Sequence, residues 1–600
     1  MAADAAPAGE AAVAPTRRTH VKVRSWWLTY PVMTAGALAG CVGFAMSRAS
    51  VAGAAPVYWL GQIALLVPCI VICIRRTASA QSRLLALQLL AALQALLAWA
   101  YSPERFRFPD ELQHVRSARE ILLSGHLFSA NPALPVSPGF PGLEIVTTAV
   151  KQVSGLSLFA AGIITASIAH VLLVTAVFAW AHALRLGSRY AAACALVYGF
   201  APAFPYFDAL FTYSAIALPF FVLAARMAVR VVTYRESALL VLPPLFVAIV
   251  SHHLTGYLTC GFVGLVAVLV RRSRHAATAP QLARAATVGL VGAAGWTAAF
   301  APHAYNYLLT PTRVALLALV SPNLDSAGDA AALGLPAPLW QRLIGIGGSI
   351  VMLGAAYAGA RMLWRSSAAP WLRRFGWAAV AYPAVLVVRV LAADGPEISA
   401  RLLLYVMLLT SIPVGYLLVS IWATGASRRR VAIALAIALL AAAGPTVSAT
   451  PPSWERLPGE FHVAGYESGV DAQVSATVAY AEKAFFPGAT VACDRMLCSL
   501  VAGETESTAS NVATKMFYAD NIVRHAEIGH LALDYVLVDD RIALQRPVTG
   551  LYFPGEGDTG PHPRPFPVDR LTAFAVDPLY SRVYDNGPIQ VYDVTRVWLG

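Results

Sequence analysis

Phe108-Pro109-Asp110-Glu111-Leu112-Gln113-His114 is the stretch that decides the fold class of this chain. Two adjacent carboxylates and a histidine arrive directly after three apolar segments, at 26–47, 54–74 and 84–101. Ionisable side chains are expensive beside hydrocarbon and collect where they have a task. The stretch therefore reads as a working loop at the end of a membrane-spanning bundle.

Composition supports the bundle. Of 600 residues, 58% are hydrophobic and 13% charged, against about 25% charged in ordinary soluble domains, and mean hydropathy is +0.61. A net charge of +12 would suit nucleic acid if it formed one basic face. Instead the arginines fall in short clusters between apolar runs, the way Lys and Arg record membrane orientation, so no nucleic-acid partner is expected. Five of the seven cysteines, Cys41, Cys69, Cys73, Cys194 and Cys260, lie in or beside apolar segments and read as small hydrophobes. Cys493 and Cys498 lie in a polar region, where their separation permits a disulfide in an oxidising compartment.

Outward from the acidic stretch, a spanning helix needs about 20 apolar residues. Further spans are predicted at 156–182, 190–206, 209–231, 237–251, 254–270, 285–303, 342–360, 376–392, 401–422 and 430–448, about thirteen in all, with 190–206 and 237–251 the shortest on apolar content. Residues 1–25 are Ala- and Pro-rich, then basic, and read as a disordered cytoplasmic tail rather than a cleaved signal peptide. With that tail inside, the basic clusters Arg75/Arg76/Arg83, Arg185/Arg189, Arg230/Arg235, Arg271/Arg272/Arg274, Arg361/Arg365/Arg373/Arg374 and Arg428/Arg429/Arg430 fall on inner loops. Asp110/Glu111, Asp208, His252/His253, Asp325/Asp329 and Asp394/Glu397 fall on outer ones. The exception is the loop after Tyr101, where Arg105, Arg107, Arg116 and Arg119 accompany the acids. The orientation predicted for this plasma-membrane protein is N-terminus cytoplasmic and C-terminus extracytoplasmic.

The first outer loop, 102–155, contains two helical periodicities. Leu112, Val115, Arg119 and Leu122 recur after Pro109, and Leu143, Val146, Val150 and Val153 recur after the breaks at Asn131-Pro132 and Ser137-Pro138-Gly139. Glu144 and Lys151 stand off the second stripe. Two such helices are expected in the interface plane, framing a site at lipid head-group level. From about 450 the texture becomes that of an α/β domain. Strands are expected at Val491-Ala492-Cys493 and at Tyr535 to Asp539, a hairpin around Asp585-Asn586-Gly587, and helices over 472–485 and 509–525. The fold class is thus a polytopic α-helical membrane protein with a C-terminal extracytoplasmic α/β domain.

Several segments together resemble a known family. Pro109 to His114, Gly125-His126-Leu127-Phe128, Pro138-Gly139-Phe140-Pro141-Gly142-Leu143-Glu144, Phe207-Asp208-Ala209-Leu210-Phe211-Thr212-Tyr213 with Leu218-Pro219, and Ser251-His252-His253-Leu254-Thr255 resemble, in this order, actinobacterial GT-C-type membrane glycosyltransferases. The resemblance covers the first half of the chain. It implies many spans, an acidic motif in the first long outer loop, a polyprenyl-phosphate sugar donor and a C-terminal outer domain. One position departs from the pattern: an acid often follows the tyrosine equivalent to Tyr213, and here Ser214 follows.

Each candidate residue has a structural role to set against a chemical one. Asp110 and Glu111 are expected to be catalytic, with Asp110 the base that takes a proton from an acceptor hydroxyl; as a structural group, Asp110 would cap a helix with Gln113 completing the box. His114, one turn on, shares their face. It would bind donor phosphate, or join Asp110 and Glu111 around a divalent cation such as Mg²⁺ or Mn²⁺ if the enzyme uses one. Asp208, His252, His253 and Arg401 are expected to bind substrate, with no more than one of the two adjacent histidines facing a cavity. Arg401 suits a donor phosphate and otherwise pairs with Glu397; Arg389 and Arg313 are weaker choices of the same kind, and Arg116 and Arg119 are free to pair with the loop acids. The expected reaction is inverting transfer of a hexosyl or pentosyl unit from a polyprenyl-phosphate donor to a cell-envelope glycan or lipid acceptor. The rivals are a transporter or flippase for a polyprenyl-linked glycan, which would place polar groups near the midplane in paired halves, and a non-catalytic glycan-binding scaffold.

Overall fold

The computed structural model describes residues 28–201, 209–306, 309, 313, 338–391, 395–424, 427–447, 470–547, 550–556, 562 and 564–599. The predicted tail, Asp208, Asp325, Asp329, Asp394 and the boundary expected at 449/450 lie outside the described residues.

Each of the thirteen predicted apolar segments contains helix. Among the described residues, eight helices are long and apolar enough to cross a membrane. The first six of these are α1 (Thr29–Arg48), α2 (Ala54–Ile74), α3 (Ala80–Tyr101), then, after α4 (Pro109–Ser124) and α5 (Gly142–Ser154), α6 (Leu158–Ala183), and, after α7 (Ser188–Gly199), α8 (Tyr213–Tyr234), and, after α9 (Leu242–Ser251), α10 (His253–Val270). Beyond α11 (Ala279–Phe300) come α12 (Leu339–Trp364), the short α13 (Pro370–Trp377) and α14 (Ala381–Leu391), then α15 (Gly395–Thr424) and α16 (Ser427–Ala441). Of these, α12 and the 398–422 part of α15 complete the eight. The segments at 190–206 and 237–251 are short helices in the structure too: α7 has 12 residues, and α9 stops at Ser251 where the backbone of His252 becomes extended.

The C-terminal region builds a five-stranded sheet in the order β2-β1-β3-β5-β4. β1 (Thr490–Ala492) pairs parallel with β2 (Thr508–Ala509) and β3 (Tyr535–Asp539), while β4 (Ser581–Asp585) and β5 (Ile589–Asp593) form the expected hairpin, with β5 antiparallel to β3. Helices α17 (Ala472–Ala484), α18 (Arg495–Glu504), α19 (Thr514–Tyr518), α20 (Asn521–His530), α21 (Val568–Val576) and α22 (Arg596–Leu599) surround it. The helix expected over 509–525 is instead the end of β2 followed by α19 and α20. Asp520 ends the first by capping the second, accepting from the backbone N–H of Val523, a task Asp performs better than helix propagation. Cys493 and Cys498 are disulfide-bonded, with Cα atoms 5.3 Å apart.

The outer loop departs from the expected interfacial cradle. Leu112 and Val115 of α4 are buried in one cluster with Val474, Val478 and Ala481 of α17 and Leu497, Leu500 and Val501 of α18. α4 is thus sandwiched between the bundle and the C-terminal domain rather than lying on lipid. α5 also turns the other way round from its apolar stripe: Leu143, Glu144, Thr147 and Thr148 are buried, and Ile145, Val146 and Val153 face outward.

Candidate active site

α4 begins at Pro109, whose fixed φ suits the first helical position. The residue capping it is Phe108, not Asp110, and the acid that completes the cap is Glu111 rather than Gln113. Glu111 Oε2 accepts from the backbone N–H groups of Phe108 and Arg107, both at 3.3 Å. Its Oε1 accepts from the N–H of Phe211 at 2.9 Å, so this one carboxylate ties the start of α4 to the segment that leads into α8. Burial pushes its pKa up to about 7, against the pull of those N–H groups and of the Arg107 guanidinium. Asp110, one residue earlier, is half-exposed and has no hydrogen bond to another described residue.

One turn into α4, His114 is fully buried. Its Nε2 accepts from the backbone N–H of Tyr213 at 3.4 Å, which leaves Nδ1 as the protonated nitrogen. Nδ1–H donates to Glu144 Oε1 of α5 at 2.7 Å, and Ser137 Oγ lies 3.3 Å from the same nitrogen. Glu144 is itself 1% exposed, with Oε2 left without a partner among the described residues. The start of α5 reaches this depth because Gly142 lies against Ser251 at the end of α9, where a Cβ would come within 2.2 Å of Ser251 Oγ.

The histidine pair belongs to the same cluster. Because the chain becomes extended at His252 between α9 and α10, both rings turn inward: His252 is 5% and His253 2% exposed. This differs from the expectation that at most one would do so, which rested on neighbouring side chains pointing in different directions. The Tyr213 ring sits 4.5 Å from His114, 4.3 Å from His252 and 5.5 Å from His253, and Phe140 closes on His253 at 5.5 Å. His252 Nδ1 is 2.6 Å from Thr255 Oγ1, which is 2.5 Å from the Tyr405 hydroxyl of α15. Arg401, one turn before Tyr405, lies within charge–charge reach of both histidines. The side chain of Glu397 lies outside the described residues; Arg389 points to Ser399 Oγ at 3.4 Å, and Arg313 is exposed.

Five elements distant in sequence therefore meet at one end of the bundle: α4, α5, the start of α8, the α9–α10 junction and α15. Of the residues predicted for the site, His114, His252, His253 and Arg401 come together, Glu111 braces the helix beside them, and Asp110 stands at its exposed start. Asp208 lies outside the described residues. The cation site considered for Asp110, Glu111 and His114 does not assemble. The Glu111 oxygens are taken by backbone donors and both His114 nitrogens are engaged, and no metal-binding group of three or more His, Cys, Asp or Glu occurs among the described residues. Glu144, Tyr213, Thr255 and Tyr405 were not singled out from the sequence. Glu144 had one available signal, a carboxylate standing off an apolar helical stripe beside two threonines.

Arg116, Arg119 and Arg105 reach the C-terminal domain. Arg116 donates to the carbonyls of Ala502 and Ser507 at 3.2 and 3.3 Å, Arg119 to the carbonyl of Glu504, and Arg105 to the Glu504 carboxylate.

No protein-family model matches the chain, and no curated protein matches it. Among solved structures, the apo oligosaccharyltransferase of Archaeoglobus fulgidus is similar at 12% identity and a TM-score of 0.46, over 77% of this chain and 70% of that one. The arabinofuranosyltransferase AftD from Mycobacteria is similar at 15% identity and a TM-score of 0.48, over 86% of this chain and 42% of that one. ArnT from Cupriavidus metallidurans, bound to undecaprenyl phosphate, is similar at 15% identity and a TM-score of 0.38, over 85% and 97%.

Proposed function

We propose that the chain is a membrane glycosyltransferase of the GT-C kind, moving a sugar from a polyprenyl-phosphate donor to a glycan or lipid acceptor of the cell envelope. In this reading the cluster faces the extracytoplasmic side, with the N-terminus cytoplasmic, thirteen crossings and the C-terminal domain outside. Free nucleotide sugars are cytoplasmic, so chemistry on that side calls for a lipid-carried donor. The observation that carries the reading is the contrast between the two adjacent acids. Glu111 is spent on three backbone N–H groups, while Asp110 stands half-exposed on the same first turn, four residues before the buried His114.

The reaction is a single displacement. Asp110 takes the proton of an acceptor hydroxyl as its oxygen attacks the anomeric carbon. The new glycosidic C–O bond forms while the bond from that carbon to the phosphate oxygen breaks, and the electron pair leaves with the lipid phosphate. Arg401 holds the departing phosphate, a task suited to a planar guanidinium. His252 accepts at Nδ1 along the Tyr405–Thr255 chain, which leaves its Nε2–H as a donor for the same phosphate. Glu111, His114 and Glu144 fix the position of α4. Packing by the C-terminal domain keeps water from the donor.

Purified protein incubated with undecaprenyl phosphate carrying a radiolabelled hexose or pentose, together with a mixed envelope acceptor fraction, tests this. Transfer of label to the acceptor is expected, with loss in Asp110→Asn. Movement of the labelled lipid across a vesicle bilayer without transfer would replace the reading with a flippase.

A further inference from the structure

The four arginines of the outer loop break the pattern of basic residues inside and acidic residues outside, and three of them have one destination. Arg116 and Arg119 of α4 donate to the carbonyls of Ala502 and Glu504, at the C-terminal end of α18. The last carbonyls of a helix have no partner within it and carry the negative end of its dipole. Here they are capped by cations from a different domain. Arg105, just before α4, pairs with the Glu504 side chain, and Glu482 of α17 lies 3.8 Å from Arg119 and 4.0 Å from Arg105. Between these contacts the helices touch through Gly503. A Cβ there would sit 2.9 Å from both the Cβ and the carbonyl oxygen of Leu112, two residues from Asp110.

α4 has 16 residues, about the length at which an isolated helix is marginal, and Asp110 lies in its first turn, where helices fray. The bundle secures one side of α4 through Glu111 and His114; α18 secures the other. We propose that the C-terminal domain is a positioning clamp for the catalytic loop, in which Gly503, Arg116, Arg119 and Glu504 set the attitude of α4 and so the direction of Asp110. The proposal rests on the assignment of Asp110 as the base. In it, Gly503 and Arg116 are positioning residues that touch neither donor nor acceptor.

Gly503→Ala is the informative variant. Alanine favours the helix over glycine, so α18 itself is not weakened, yet its methyl group must push back the backbone of Leu112. Arg116→Met is the second variant, keeping the apolar stem and removing both carbonyl contacts. In full-length protein, amide hydrogen exchange over 109–124 is expected to quicken about tenfold in each, with α18 itself no faster in Gly503→Ala. With undecaprenyl phosphate carrying a labelled sugar as donor, kcat is expected to fall by up to about 100-fold, the cost of a misplacement of about 1 Å, with donor KM within about twofold. Exchange over α4 that stays at the wild-type rate would overturn the clamp, and so would faster exchange with kcat unchanged. Asp110→Asn is assayed alongside. Its loss of transfer together with full kcat in both clamp variants would overturn the clamp alone, whereas full transfer by Asp110→Asn would overturn the base and leave the exchange rates to decide whether α18 holds α4.

Discussion

Replacing Asp110 and Glu111 one at a time separates the two tasks that an acidic pair suggests. Asp110→Asn changes no hydrogen bond to a described residue, so it is expected to lower transfer at least about 100-fold, the scale of general-base catalysis, and to leave thermal stability unchanged. Glu111→Gln has the opposite profile. Its amide NH₂ would confront a backbone N–H where an oxygen now accepts, at a cost of about 1–3 kcal/mol, visible as a lower unfolding midpoint. Equal losses of stability in the two variants would reject the division. The helical offset of His114 from Asp110 and Glu111 was legible, because residues three and four apart share a face. Which acid would be consumed by the backbone was not, since that depends on Phe211, 100 residues away. Glu144 stayed hidden for a similar reason: its partner His114 lies 30 residues earlier, and no local pattern joins them.

Among the elements, α5 shows the limit of reading periodicity. The 3.6-residue repeat of Leu143, Val146 and Val150 identifies a helix, but it does not say which face turns inward. The buried face carries Glu144 and Thr147, and the outward face carries Ile145, Val146 and Val153, the arrangement expected when lipid lies outside and a polar site inside. The depth of α5 is set by Gly142 against Ser251. Gly142→Ala is therefore expected to shift α5 outward, separate Glu144 from His114, and destabilise by about 1–3 kcal/mol as overpacked sites do. Restoring room with Ser251→Gly in the same chain should recover most of the loss; a double variant as unstable as Gly142→Ala would show that the contact does not set the position of α5. The break between the two helices at His252 was legible as the gap between the apolar runs 237–251 and 254–270, but the extended backbone there, which brings both imidazoles into one cluster, was not.

At the scale of the whole molecule, the division into an apolar bundle and a C-terminal α/β region was readable from composition and from the strand signals, because burial in lipid and burial in a small globular core demand different residue mixtures. The joint between the two parts was not readable. It consists of α4 packed on α17 and α18, and its polar half is carried by arginines that look, in the sequence, like partners for the loop acids. This joint has a consequence for pH. Burial lifts the carboxyls of Glu111 in the loop and of Asp494 and Glu504 in the C-terminal domain to about 7; Asp539 adds to the rise at Asp494 and Arg105 opposes the rise at Glu504. A carboxyl whose pKa is raised by folding binds its proton more tightly in the folded chain. Its contribution is complete below the ordinary carboxylate range of about 4 and is lost as pH rises through about 7. The loop and the C-terminal domain are thus expected to be more stable at pH 5 than at pH 8, the reverse of a protein held by surface ion pairs with depressed carboxyl pKa values. Unfolding midpoints taken across that window, with amide exchange over 109–124 and 495–504 to localise the change, should fall as pH rises. Midpoints that rise instead would mean that the N–H groups around Glu111 and the arginine beside Glu504 outweigh the cost of burying the charges.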